Sequence, residues 1–162
     1  MSIDVIIEDP RWEETGLGAL AEAAAQAVLS RLGLDPEMCE GSVLACDDAR
    51  IRALNADFRS RDRATNVLSW PAAERAAPGR RPPLPEPEFD GTIELGDIAI
   101  AYETCLREAG EQEKPVSDHV THLLVHGLLH LLGYDHVTDA DAEIMEGTET
   151  EILASMGVAD PY

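Results

Sequence analysis

The sequence has little of what marks a secreted, membrane-embedded or broadly nucleic-acid-binding protein. Only 12 of its 162 residues are Lys or Arg, against 32 Asp and Glu, for a formal charge of −20. That balance excludes a wide, non-specific attraction to nucleic acid or to an acidic membrane surface, because phosphate is repelled. Any nucleic acid that binds must therefore meet a local basic site. No uninterrupted apolar run approaches the roughly 20 residues of a membrane-spanning helix. The first ten residues carry Asp4, Glu8 and Asp9 and no basic segment. These features predict a cytoplasmic chain without a secretory leader. Cysteine is also scarce: Cys39, Cys46 and Cys105 are odd in number, at spacings of neither C-x-x-C nor a zinc ribbon, and read as free thiols.

What is present suits one domain spanning residues 1–162, with 44% apolar content for an ordinary core. Ile3, Val5, Ile6 and Ile7 predict a first strand, ended near Pro10 and Trp12. Leu17, Leu20, Ala21, Ala24, Val28 and Leu32 recur at helical spacing, with Gly33 where that helix would stop. Val43 to Ala45 suggest a second strand. Asp47 or Asp48 can then cap a helix with Ile51, Leu54 and Phe58 on one stripe. Asn66 to Trp70 reads as a third strand ended by Pro71, and Glu94 to Ile100 as a fourth.

Between them, residues 72–91 hold Pro78, Pro82, Pro83, Pro85 and Pro87 with little periodicity, which predicts an exposed loop. Helical patterns follow over 101–110, 115–132 and 139–156, the last after a capping-box-like Thr138-x-x-Asp141 start. Strands crowd the first hundred residues and helices the rest. The expected fold is α+β: a small mixed sheet of about four strands with helices packed on one face.

All five histidines, His119, His122, His126, His130 and His136, fall within 18 residues, and metal binding is the first explanation to test. Positions four apart stack on one helix face, which allows His122 with His126 or His126 with His130. His122 and His130 lie roughly 12 Å apart along a helix, too far to share one small ion with His126. Gly133 can take the left-handed conformation that ends the helix and folds His136 back to the 126/130 pair. The site would then sit at the end of a central helix. Three imidazoles leave a fourth tetrahedral position for water, the arrangement of a catalytic zinc, whose water ionises at about pH 7. Otherwise His126 and His130 merely line an apolar helix; for His119 and His122 a surface or supporting role is favoured, and His122 can orient a ligand.

The frame His-x3-His-x2-Gly-x2-His is that of metzincin peptidases, yet Gly127 stands where those enzymes carry their glutamate base. A metallopeptidase thereby loses its proton acceptor. The stretch His126-Gly-Leu-Leu-His130-Leu-Leu-Gly133-Tyr134-Asp135-His136 instead resembles the YbeY signature H-G-x-L-H-L-x-G-Y-D-H at every fixed position. Leu54-Asn55, Phe58-Arg59 and Thr65-Asn66-Val67-Leu68-Ser69-Trp70-Pro71 are similar to a second block of that family, with Trp70 in place of the usual Phe. Leu95-Gly96-Asp97-Ile98 and Asp160-Pro161-Tyr162 also match, and the Pro-rich loop is the part least covered.

The resemblance implies a zinc-dependent, single-strand-specific endoribonuclease with one zinc per chain. It would mature the 3′ end of small-subunit rRNA and serve ribosome quality control, with single-stranded RNA and the small ribosomal subunit or its proteins as partners. It also singles out Arg59, whose guanidinium can clamp two phosphate oxygens in the transition state; on residues alone, an ion pair with Asp57 or Asp62 competes. Arg59, Arg61, Arg63, Arg75, Arg80 and Arg81, half of the basic residues, lie within 23 positions and offer an RNA-facing strip or a solvated loop. Asp135 either supports a histidine, the favoured reading, or caps a turn, and Asp97 either borders the cleft or serves a turn. The alternatives are a non-catalytic ribosome-assembly factor with a structural zinc and, behind it, the peptidase.

Overall fold

The structure, a computed structural model, describes residues 2–162. In chain order it contains β1 (Ser2–Ile7), a 3-10 turn (Pro10–Thr15), α1 (Leu17–Arg31), a second 3-10 turn (Pro36–Met38), β2 (Cys39–Cys46), α2 (Asp48–Arg59) and β3 (Val67–Pro71). β4 (Ile93–Ala101), α3 (Tyr102–Glu111), α4 (Val116–Leu131) and α5 (Asp139–Ser155) complete it. The sheet runs β1-β2-β4-β3. β1, β2 and β4 are parallel and β3 is antiparallel to β4, so the fold is the mixed α+β arrangement expected.

β4 is an inner strand whose residues are nearly all buried, as a strand covered on both faces requires. Its alternation serves two cores. Ile98 and Ile100 join Val28, Leu29, Leu124, Leu128 and Ile152 in the larger cluster, contributed by α1, α4 and α5. Ala99 and Ala101 join Cys46, Ile51 and Leu68 in the smaller one. The expectation that all helices share one face is therefore corrected: α2 covers the opposite face, because Leu68 and Trp70 of β3 and Ala99 and Ala101 of β4 make that face apolar as well. Ile51 is fully buried, but Phe58 on the same stripe, near the end of α2, is 67% exposed.

The 72–91 segment has no regular secondary structure but is fastened at several points, among them Arg81 to the Thr148 hydroxyl at 3.3 Å. Arg75 donates to the carbonyls of Glu94 (2.6 Å), Leu131 (3.0 Å) and Leu95 (3.2 Å), and the Gly79 N–H donates to Asp141 Oδ1 at 2.7 Å. Arg75 is thus spent on backbone carbonyls rather than offered to a substrate. Cys39, Cys46 and Cys105 are free and buried. Among the described residues no helix is long and apolar enough to cross a membrane.

Candidate metal centre

α4 sets the site. Its inner faces are apolar, and its end is fixed by paired hydrogen bonds: Tyr134 N–H to Leu129 O (3.0 Å) and Gly133 N–H to His130 O (3.0 Å). This is the Schellman turn. Gly133 adopts φ +102°, and a Cβ there would lie 2.4 Å from the Arg75 carbonyl oxygen, so both its conformation and its surroundings require glycine. The turn carries His136 back to α4, where its ring centroid lies 5.6 Å from that of His126 and 5.1 Å from that of His130. The ligand nitrogens of His126, His130 and His136 all lie within 4.8 Å of one another.

The hydrogen bonds of these rings decide which nitrogen faces the common centre. His130 Nδ1 meets the Tyr134 carbonyl at 2.9 Å, and His126 Nδ1 meets the Glu149 carboxylate. Both partners only accept, so both Nδ1 atoms carry the proton. Burial, and then the neighbouring His126 and His136, push the His130 pKa down to about 4, which keeps that ring neutral at pH 7. The Nε2 atoms of His126 and His130 are left facing each other 3.0 Å apart. Two lone pairs so close repel unless a cation lies between them. This donor set fits a resident metal ion, and three imidazoles fit zinc well.

Glu149 and Tyr162 were not singled out by the sequence reading. Glu149 is fully buried on α5; burial alone would raise its pKa, but the nearby His122 and the hydrogen bonds from His126 and Tyr162 prevail and hold it at about 2. The Tyr162 hydroxyl donates to the same carboxylate, and its pKa is raised by burial and by that negative neighbour. His122 Nε2 lies 3.7 Å from Glu149 Oε2 and 3.5 Å from the Tyr162 oxygen. His122, His126 and Glu149 also converge as donors. Because the His126 proton already joins ring to carboxylate, the group acts as a hydrogen-bonded support rather than a second cation pocket. A legible signal existed: Glu149 stands among Met145, Thr148, Ile152 and Leu153 on the buried stripe of α5, where an unpaired carboxylate is costly.

The remaining candidates separate. Arg59 ends α2, donates to the Ser69 carbonyl at the edge of β3, and lines with the three histidines a cavity of about 630 Å³. Asp62 pairs with Arg52 (2.7 Å) instead of Arg59. Asp135 does not support a ring; its carboxylate accepts from the His136 backbone N–H (2.8 Å), because a short side chain in a turn reaches the next amide first. Asp97 lies within β4 and accepts from the Ser42 hydroxyl (2.5 Å), away from the cavity wall. His119 is buried and meets Glu108 at 3.0 Å, outside the cavity lining. Gly127 faces the sheet: a Cβ there would sit 3.0 Å from Ile98 Cδ1 and 3.2 Å from Ser69 Oγ. A peptidase glutamate at 127 would start its side chain toward β3 and β4, not toward the histidines.

Comparison with known proteins gives concordant results. Residues 3–157 match the family model described as Endoribonuclease YbeY. A protein of that name from Ruegeria pomeroyi is 60% identical, covering 100% of this chain and 98% of its own length. Another from Cereibacter sphaeroides is 58% identical, covering 99% of this chain and 98% of its own. A third, from Paracoccus denitrificans, is 57% identical, covering 99% and 89%. The solution structure of TM1509 from Thermotoga maritima superposes with a TM-score of 0.55 at 22% identity, over 98% of this chain and 97% of that one, a likeness of fold.

Proposed function

The chain belongs to the YbeY endoribonuclease family, and on that premise we propose that it is a zinc-dependent, single-strand-specific endoribonuclease. It acts as one catalytic domain, in the cytoplasm, on rRNA at the 3′ end of the small subunit and in ribosome quality control. The observation that carries this reading is a single cavity lined by three convergent imidazoles and by the Arg59 guanidinium.

His126, His130 and His136 would hold one zinc per chain. When bound, the ion supplies an activated water and Lewis-acid stabilisation of the phosphate. The other steps fall to the chain's own groups. Glu149 and the Tyr134 carbonyl hold two imidazoles in the tautomer that directs Nε2 inward. Arg59 commits one N–H to Ser69 O, which leaves the rest of its fork for the non-bridging oxygens of a phosphodiester, where negative charge grows. The Ser69 contact fixes the guanidinium before substrate arrives, so little ordering cost remains.

A single-stranded RNA and its duplex form, offered to metal-loaded protein, test this. The single strand is cut and the duplex is not. Arg59→Ala lowers kcat by roughly 10²–10³-fold, the usual loss of one oxyanion-stabilising donor, and Arg59→Lys recovers only part of it. Equal cleavage by wild type and Arg59→Ala would contradict the assignment. A stoichiometric metal with no cleavage by either would favour the ribosome-assembly factor.

A further inference from the structure

The sequence has only two Phe and two Trp, and one of each meets at an unusual place. Phe58 packs edge-on against Trp70, ring centroids 6.0 Å apart at 78°. Phe58 lies on the apolar stripe of α2 yet is 67% exposed, and Trp70 is half-buried against the smaller core. A lone exposed aromatic needs no explanation. This pair has two features that a chance exposure would lack.

The first is position. Phe58 precedes Arg59, and Trp70 follows Ser69; Arg59 and Ser69 both line the histidine cavity and bond to each other. Along β3 Trp70 sits between the cavity-lining residues Ser69 and Pro71, with its ring turned to the smaller core, and along α2 Phe58 is one residue from Arg59, so the pair adjoins the cavity without lining it. Among the described residues β3 pairs only with β4, and at its outer edge the Ser69 carbonyl accepts from Arg59, between cavity and aromatics. The second feature is charge. α2 ends at Ser60 in the left-handed conformation (φ 55°), and the turn is held by Arg61 N–H to Asn55 O (3.1 Å) and Asn55 Nδ2 to the Arg63 carbonyl (3.0 Å). Arg61 and Arg63 are exposed there and have no acidic partner among the described residues. In a chain of charge −20, this unneutralised cation group stands out.

We propose that Phe58 and Trp70 form a stacking subsite for one unpaired nucleobase of the RNA strand whose phosphate is held at Arg59, with Arg61 and Arg63 drawing in the adjoining backbone. The inference rests on the endoribonuclease reading and supplies its strand preference. An unstacked base presents a π-face to an aromatic ring, whereas a duplex keeps its faces covered by neighbouring bases. Stacking is sequence-tolerant, which suits a site that touches no base edge.

A short uridine RNA serves as substrate, and the deoxyuridine strand of equal length as an uncut ligand for tryptophan fluorescence. Trp12 is fully buried with its Nε1–H on Cys46 O at 2.8 Å, so quenching reports on Trp70. The deoxyuridine strand quenches the wild type saturably, and Trp70→Phe removes the quench. Phe58→Ala raises KM for the RNA about ten-fold, as expected for one lost stack, with kcat within about two-fold; Phe58→Tyr restores wild-type KM. Wild-type KM and quenching in Phe58→Ala would overturn the subsite while leaving the nuclease intact. A wild type that neither binds nor cuts the single strand would overturn the nuclease reading, and the subsite with it.

Discussion

The Nδ1–H of His126 on α4 is directed at the buried carboxylate of Glu149 on α5, and that carboxylate also receives the Tyr162 hydroxyl. A ligand of the proposed centre is thus oriented by a helix that contributes no ligand. The closing segment of the described chain is tied to the same carboxylate.

Glu149→Gln tests this link. An amide can present its N–H₂ to His126 and flip the tautomer, turning the Nε2 proton toward the ion. Loss of such a supporting partner usually weakens metal affinity by 10- to 100-fold. A competition titration against a zinc chelator should show that range, with far-ultraviolet circular dichroism unchanged. Affinity equal to wild type would show that Glu149 does not orient the ligand.

Gly133→Ala should be severe for its size. The substitution places a Cβ in a left-handed conformation, where strain is roughly 1–3 kcal/mol, and drives it against the Arg75 carbonyl, 2.4 Å away. A thermal midpoint lower by about 5 °C or more follows, at about 2–4 °C per kcal/mol for a chain of this size. Metal retention should fall in parallel, because the same turn carries His136.

The loop tether has a pH signature. Asp141 is held below the usual carboxylate range, first by the Gly79 N–H and then by the Thr138 side chain. Its folded pKa is depressed, so its contribution is present above the unfolded value of about 3.9 and is lost as pH falls through the folded one. Asp141→Asn should lower the thermal midpoint relative to wild type at pH 7, and the difference should shrink as pH drops below 4. A difference independent of pH would remove the charge from the explanation.

Much of this was readable from residue spacing, and the remainder has specific physical causes. The His126/His130 pair and the Gly133 turn follow from helical periodicity and a positive φ, both local properties. The α+β order followed from where periodicity changes from strand to helix. Glu149 escaped because its partner lies on another helix, and only the rule that buried carboxylates need partners pointed to it. Arg75 was read as part of a basic strip, but three backbone carbonyls from β4 and the end of α4 take its guanidinium. Phe58 shares the helical stripe of Ile51 and Leu54, yet at the end of α2 it meets Trp70 and remains 67% exposed.

The central claim is that His126, His130 and His136 hold a metal on which RNA cleavage depends. Elemental analysis of wild type and His130→Ala, with cleavage of one single-stranded RNA by the same preparations, tests it most directly. One zinc per chain in the wild type, lost in the variant together with cleavage, is the predicted result. Undiminished cleavage by a metal-free His130→Ala protein would contradict the account.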